Sequence, residues 1–289
     1  MKSIVQKMYI LDGGKLELEG SVMVQGRQIG EQVQIPVQLF LLETSRGYIL
    51  IDTGNDPEVI NDAAATWGVP LAEAVRPIMT DINHPYEQLN LLGLSAADIK
   101  MVIYTHLHHD HAGGARFFPD ALHVVQKAEY RWAFAPDRFF GFPYINGDFN
   151  HTNLNWRMAE GDWCILPGVH LISTPGHTPG HQSIGLWDVP DIGSVILTGD
   201  AVNCQANIAT DTPGGITSDT SAAINSLHRI SALAKAMDAG VIVSHDLAAF
   251  EGMPHAPDPL GRLGAEARAF CQHGVETIYG AAADPDNLI

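Results

Sequence analysis

"MVIYTHLHHDHAGG", residues 101 to 114, sets four imidazoles and one carboxylate between His106 and His111. The five residues before them, "MVIYT", are a short apolar run that predicts a β-strand. The pair Gly113-Gly114 after them fits a tight, crowded loop leading into a helix. Rigid sheet fixes where such a loop starts, which is why folds place sites at strand ends. Surface His-rich tracts exist, but they are not normally set between an apolar strand and a glycine pair. The cluster therefore predicts metal binding.

Other ligand-type residues also sit just past apolar strands. His177 follows "LISTPG", Asp200 ends "VILTGD" and His245 follows "VIVS". A single histidine at a strand end is usually structural. If these ends converge, however, His106, His108, Asp110, His111, His177, Asp200 and His245 supply five imidazoles and two carboxylates. Such ligands suit Zn²⁺, Mn²⁺ or Fe. Seven exceed one tetrahedral site and suit two metals about 3.5 to 4 Å apart, bridged by a carboxylate and a hydroxide.

The chain has 289 residues, 46% hydrophobic and 17% charged, which predicts a globular protein with a sizeable core. A formal net charge of −17, from 33 acids against 16 bases, would repel a polyanion. It argues against nucleic acid or an anionic membrane as partner. The cysteines, Cys164, Cys204 and Cys271, are odd in number and far apart, so neither a disulfide framework nor a thiolate zinc site is expected. The start "MKSIVQKMYILDGG" has no long apolar stretch of signal-peptide type, and no segment reaches the roughly 18 to 20 apolar residues of a membrane span. A cytoplasmic protein, monomeric or homodimeric, is expected.

Strands are predicted at 34–43, 48–54, 101–105, 123–126, 168–174, 194–200 and 241–246. Two helical patterns are read in 60–98, the second capped around Ser95 and Asp98. A further helix is read over 221–240, with Ile224, Leu227, Ile230, Leu233 and Met237 near one face and Gly240 ending it. "SRGYILIDTGN" and "DIGSVILTGDAVN" share a plan of glycine turn, apolar strand and terminal acid, suggesting two related β-rich halves. Alternating strands and helices predict an α/β layered fold, taken as one domain over 1–289. Residues 129–158 stand apart as an aromatic-rich insertion without a clean period.

"THLHHDHAGG" resembles the HxHxDH signature of the metallo-β-lactamase superfamily. "IDTG", "TPGHTPGH", "LTGD" and "VSHD" resemble its other motifs, in the same order and over nearly the whole chain. The resemblance implies an αββα sandwich of two mixed β-sheets flanked by helices, with the site at one sheet edge. By motif, it places His106, His108 and His177 on a first metal, Asp110, His111 and His245 on a second, and Asp200 between them. It makes His181 a supporting residue, Asp52 an orienting one outside the ligand shell, and His109 supporting or substrate-facing. Within the superfamily the chain is most similar to N-acyl-homoserine lactonases and 4-pyridoxolactonase, through "MYILDGGKLELEG", "VQKAEYRWA" and "EGDWCILPGVHLISTPGHTPGHQS". That family commonly has a tyrosine three residues after the bridging aspartate, contacting the substrate carbonyl. Asn203 stands there in this chain.

The resemblance implies a dinuclear hydrolase, Zn²⁺ being the expected ion, that opens a lactone ring by metal-bound hydroxide. Asp110 is expected to shuttle the proton and Asn203 to donate to the oxyanion. The substrate pocket is expected to use His109, Trp132, Phe139, Phe140, Phe142 and Tyr144. Packing of the insertion or a dimer contact is the competing role for these aromatics, together with Tyr130 and Phe134. Other cyclic esters, lactams or carbamates, a glyoxalase II-like thioester, and RNA are alternative substrates. A non-enzymatic metal sensor is the alternative class, set against the complete ligand set.

Overall fold

The computed structural model describes residues 2–263, so Cys271 lies outside the described residues. Two mixed sheets pack face to face. The first is built from β1 (Val5–Glu19), β2 (Gln32–Thr44), β3 (Gly47–Ile51), β4 (Val75–Ile78), β5 (Ile99–Ile103), β6 (Leu122–Gln126) and β7 (Asn155–Ala159), in the order β4-β1-β2-β3-β5-β6-β7. The second contains β8 (Trp163–Leu166), β9 (Val169–Ser173), β10 (Gln182–Val189), β11 (Gly193–Leu197) and β12 (Ala239–Ile242), in the order β12-β11-β10-β9-β8.

Side-chain alternation separates three apolar layers. Met8 and Ile10 of β1, with Ile51, Ile103 and Val124, meet Leu171, Ile184, Leu186, Val195 and Leu197 of the second sheet. Tyr9 and Leu11 of β1 point the other way, as does Ile196 of β11. Each such side chain, fully buried, is worth about 1.5 to 3 kcal/mol. Because both faces of these strands are covered, "YILI" and "SVIL" read as unbroken apolar runs.

Outside the first sheet lie α1 (Val59–Trp67), α2 (Val69–Ala74), α3 (Pro85–Asn90), α4 (His109–Ala112), α5 (Lys127–Phe134) and α6 (Asn146–Phe149). Next to the second come α7 (Gln205–Ala209), α8 (Thr220–Ala236) and α9 (Leu247–Glu251). Leu227, Ile230 and Ala234 of α8 cover Ile196 and Val241. The architecture is an αββα sandwich. Among the described residues, no helix is long and apolar enough to cross a membrane.

Several local expectations change. The region 60–98 holds three short helices and the edge strand β4 rather than two helices. Ser95 and Asp98 do form a capping box, but on a single 3₁₀ turn that runs straight into β5 at Ile99. Helix α8 stops at Ala236, and Asp238 makes the turn with φ 46°. Gly240 lies inside β12 and does not end the helix; its Cα packs under the Leu263 side chain. The two echoing segments occupy β3 and β11. Each runs parallel to a strand that ends in the histidine-bearing loops, β5 and β12 respectively.

On α6, Asp148 is buried and its Oδ2 has no hydrogen-bond partner, close to the Arg116–Asp56 ion pair. Burial pushes its carboxyl well above the ordinary range, Asp56 pushes the same way, and Arg116 only partly offsets them. With the folded pKa above the unfolded one, the native state holds the extra proton. Stability attributable to Asp148 therefore falls as pH rises from the usual carboxylate range through the raised value. Asp148→Asn is expected to remove that fall, so its advantage in Tm should widen between pH 4 and pH 8. A constant difference across that range would contradict the assignment.

Candidate metal centre

All the ligand-type residues of the sequence motifs meet at one edge of the sandwich. His106 and His108 leave β5, while Asp110 and His111 sit in the first turn of α4. His177 follows β9, Asp200 lies in the 3₁₀ turn after β11, and His245 follows β12. All seven are buried. Three groups of ligand atoms each lie within 4.8 Å of one another: His106, His108 and His177; His106, His111 and Asp200; and Asp110, His111 and His245.

The distances divide the cluster in two. His177 Nε2 is 3.2 Å from His106 Nε2 and 3.0 Å from His108 Nδ1. Asp200 Oδ2 faces this half, 3.4 Å from His177 Nε2 and 3.9 Å from His106 Nε2. Its Oδ1 faces the other half, 3.2 Å from His111 Nε2 and 3.1 Å from His245 Nε2. Asp110 Oδ2 completes that half, 3.6 Å from His111 Nε2 and 3.7 Å from His245 Nε2.

The outward ring nitrogens of four of the five histidines have partners. His111 Nδ1 donates to Asp52 Oδ2 (2.8 Å), His177 Nδ1 to Ile216 O (2.7 Å) and His245 Nδ1 to Pro36 O (2.9 Å). Thr105 Oγ1 donates to Asp52 Oδ2 and so accepts from His106 Nδ1 at 3.1 Å. These bonds fix the tautomers of those four rings and turn their Nε2 lone pairs inward, while His108 presents Nδ1. Facing lone pairs about 3 Å apart, with His111 Nε2 and Asp200 Oδ1 buried and unpartnered, fit a set of divalent ions. Asp200 is the carboxylate whose two oxygens serve both halves.

Electrostatics agree with that division. Burial and neighbouring imidazoles hold His106 and His108 well below the ordinary histidine value, and burial lowers His177 too. They are neutral donors at neutral pH. Burial also disfavours the charged forms of His111 and His245, but Asp110 and Asp200 outweigh it and raise both. The carboxylates thus draw positive charge to that half.

Supporting residues are equally specific. Asp52 sits at φ 57°, a costly backbone for aspartate, with its carboxylate accepting from Thr105 N and Oγ1 as well as His111. His181 Nε2 accepts the Asp200 backbone N–H at 2.9 Å, and burial lowers its pKa to about 3, keeping it neutral. His109 bonds through Nδ1 to Asn55 Oδ1 at 3.0 Å and packs on Trp67 with ring centroids 4.6 Å apart.

A narrow pocket opens on the cluster. Its walls include Leu16, Leu18, Val22, Ile35, Leu71 and Ile216, with His109, Phe142 and Asn203. Of the expected aromatics, Phe142 alone lines it. Trp132 packs on the core and on Phe140, Phe139 is 81% exposed, and Tyr144 backs His108 from behind. The apolar wall comes instead from β1 and its neighbours. Leu16 and Leu18 alternate with Glu17 and Glu19, a period-2 signal in the sequence, but Gly13-Gly14 interrupts the strand with a register shift. A larger groove of about 700 Å³ beside α9 contains none of these histidines.

Asn203 also differs from expectation. Its Nδ2 donates to Val22 O (3.2 Å) and Met23 O (3.5 Å), while Oδ1 is buried without a partner. As placed, the side chain directs its N–H groups to the pocket wall rather than to a substrate oxygen. Glu129, which the motifs do not mark, is fully buried against the metal loops. Its partners are hydroxyls and a backbone N–H, so no charge pattern in the sequence announces it.

The sandwich and its two-part histidine–aspartate cluster define a hydrolytic metal-centre class of α/β protein. The Metallo-beta-lactamase superfamily profile matches residues 34–245. The chain belongs to that superfamily. It is 33% identical over 257 residues to N-acyl homoserine lactonase AttM of Azorhizobium caulinodans, covering 87% of this chain and 97% of that one. N-acyl homoserine lactonase AiiA of Bacillus thuringiensis subsp. kurstaki is 32% identical over 244 residues, with 84% and 94% covered. A solved N-acyl homoserine lactone hydrolase, with the product N-hexanoyl-L-homoserine at its catalytic metal centre, superposes with a TM-score of 0.81 at 30% identity. That superposition covers 90% of this chain and 100% of the other.

Proposed function

We propose that the protein is a dinuclear-metal hydrolase that opens the ring of an N-acyl homoserine lactone. The single observation that carries the reading is Asp200, whose two oxygens face two separate imidazole groups. Lactonases at 33% identity over most of the chain support the substrate class. His106, His108 and His177 would hold one ion and Asp110, His111 and His245 the other, with Zn²⁺ favoured by the nitrogen-rich donor set. Two such ions supply Lewis acidity, which acidifies a water and polarises a carbonyl.

The chain's own groups do the rest. Asp52, Thr105 and the carbonyls of Pro36 and Ile216 accept the outward N–H groups and so turn the Nε2 atoms of those rings inward. Burial pushes the Asp110 carboxyl up, but His111, His109 and His245 outweigh it, so Asp110 stays ionised and able to accept a proton. We assign it the transfer of that proton to the departing ring oxygen through Oδ1, which faces His109. The apolar wall of Leu16, Leu18, Val22 and Ile35 would flank an acyl chain and exclude water from it. Asn203 is assigned to hold that wall through Val22 and Met23. We assign a cytoplasmic setting, with which two cysteines unpaired among the described residues, Cys164 and Cys204, agree.

A panel of acyl homoserine lactones, aryl lactones, lactams and thioesters, offered to metal-loaded protein, tests the substrate class. Acyl homoserine lactones are expected to give the highest kcat/KM. Preference for a lactam or thioester would contradict it.

A further inference from the structure

The Leu107 N–H and the Tyr144 and Thr178 hydroxyls donate to the Glu129 carboxylate, and each belongs to a residue adjacent to, or packed on, one half of the histidine–aspartate cluster. Oε1 accepts the Leu107 N–H at 3.0 Å and the Tyr144 hydroxyl at 2.8 Å. Oε2 accepts the Thr178 hydroxyl at 2.6 Å. Leu107 lies between His106 and His108, and Thr178 follows His177. The Tyr144 ring meets that of His108 edge-on, with centroids 4.6 Å apart. The His177 loop also presses on the same backbone, since a Cβ at Gly180 would lie 1.9 Å from Glu129 N. In the other half Asp52 lies behind His111 and Pro36 O behind His245, and neither residue bonds to Glu129; Thr105, bonded to Asp52, also reaches His106 Nδ1.

We infer that Glu129 is a positioning residue of the His106–His108–His177 half-site, acting on that half and not on the Asp110–His111–His245 half. The inference rests on the two-ion reading above. Burying a carboxylate is costly without compensation. Burial pushes the Glu129 carboxyl up, and the bonds from Thr178, Leu107, Tyr144 and Gly180 offset this only in part. Among these groups there is no cation, and a dication held by His106, His108 and His177 would supply an opposite charge on that side. Loss of the carboxylate would release Leu107, Thr178 and Tyr144 together, loosening all three imidazoles of that half.

Cadmium-113 NMR on protein reconstituted with two equivalents of ¹¹³Cd²⁺ separates the halves. His177→Ala identifies the resonance of one half and His245→Ala that of the other. Glu129→Gln keeps the volume, an acceptor for Leu107 N–H and a donor for the Thr178 oxygen. The resonance identified by His177→Ala is expected to shift in this variant, with that ion bound about 10 to 100-fold more weakly. The resonance identified by His245→Ala should stay in place. Thr178→Val, which leaves the carboxylate, should move the same resonance by less, and it decides the matter if Glu129→Gln does not fold. Movement of both resonances together, of the His245 resonance alone, or of neither overturns the inference. A wild-type spectrum with a single resonance overturns the two-ion reading itself, and this inference with it.

Discussion

Asp200→Ala is expected to lose activity at least a further tenfold beyond Asp52→Asn. Asp52 touches His111 through one hydrogen bond and reaches no inward-facing atom, so its amide variant should cost about 10 to 100-fold. Asp200 instead puts one oxygen 3.4 Å from His177 Nε2 and the other 3.1 Å from His245 Nε2. Its removal uncouples both halves and leaves the imidazoles of both without their shared carboxylate. Metal analysis should show Asp200→Ala short of both ions and Asp52→Asn short mainly at the His111 side. Equal losses of activity with equal metal content would sink the bridging assignment.

Gly113→Ala is expected to destabilise the fold by about 3 kcal/mol or more, the upper end of what overpacking costs. A Cβ there would lie 2.2 Å from Asp56 N, 2.6 Å from Asn55 C and 2.6 Å from His109 O. All three are backbone atoms, which no side-chain rotation can move. Gly113 has an ordinary helical φ of −58°, so the requirement is for space rather than conformational freedom. Pushing the 55–56 backbone away also disturbs Asn55, the partner of His109. Gly147→Ala is the control, because its Cβ would meet nothing within 4 Å. Comparable melting of the two variants would contradict the packing argument.

The metal cluster was legible because its chemistry is written in residue type. Imidazoles and carboxylates at the ends of apolar strands have few other uses, and "HLHHDH" concentrates them. The layered fold was legible for a related reason, since buried strands such as "YILI" and "SVIL" are apolar on both faces. What stayed hidden depends on three-dimensional neighbours. Leu16 and Leu18 become pocket wall only because β1 continues past its glycine pair to reach β4. Phe139 and Phe140 look like pocket aromatics in sequence, yet the 3₁₀ turn at 138–140 carries them away from the site. Asn203 and Glu129 bond to backbone groups and hydroxyls, which leave no pattern to read.

Stepwise addition of Zn²⁺ to metal-free protein, while N-hexanoyl homoserine lactone is followed by mass spectrometry, tests the central claim most directly. The account predicts ring opening to a product one water heavier. The rate should rise until two equivalents per chain are bound, as the divided ligand set requires. A plateau at one equivalent, or two ions bound with the lactone left intact, would contradict it.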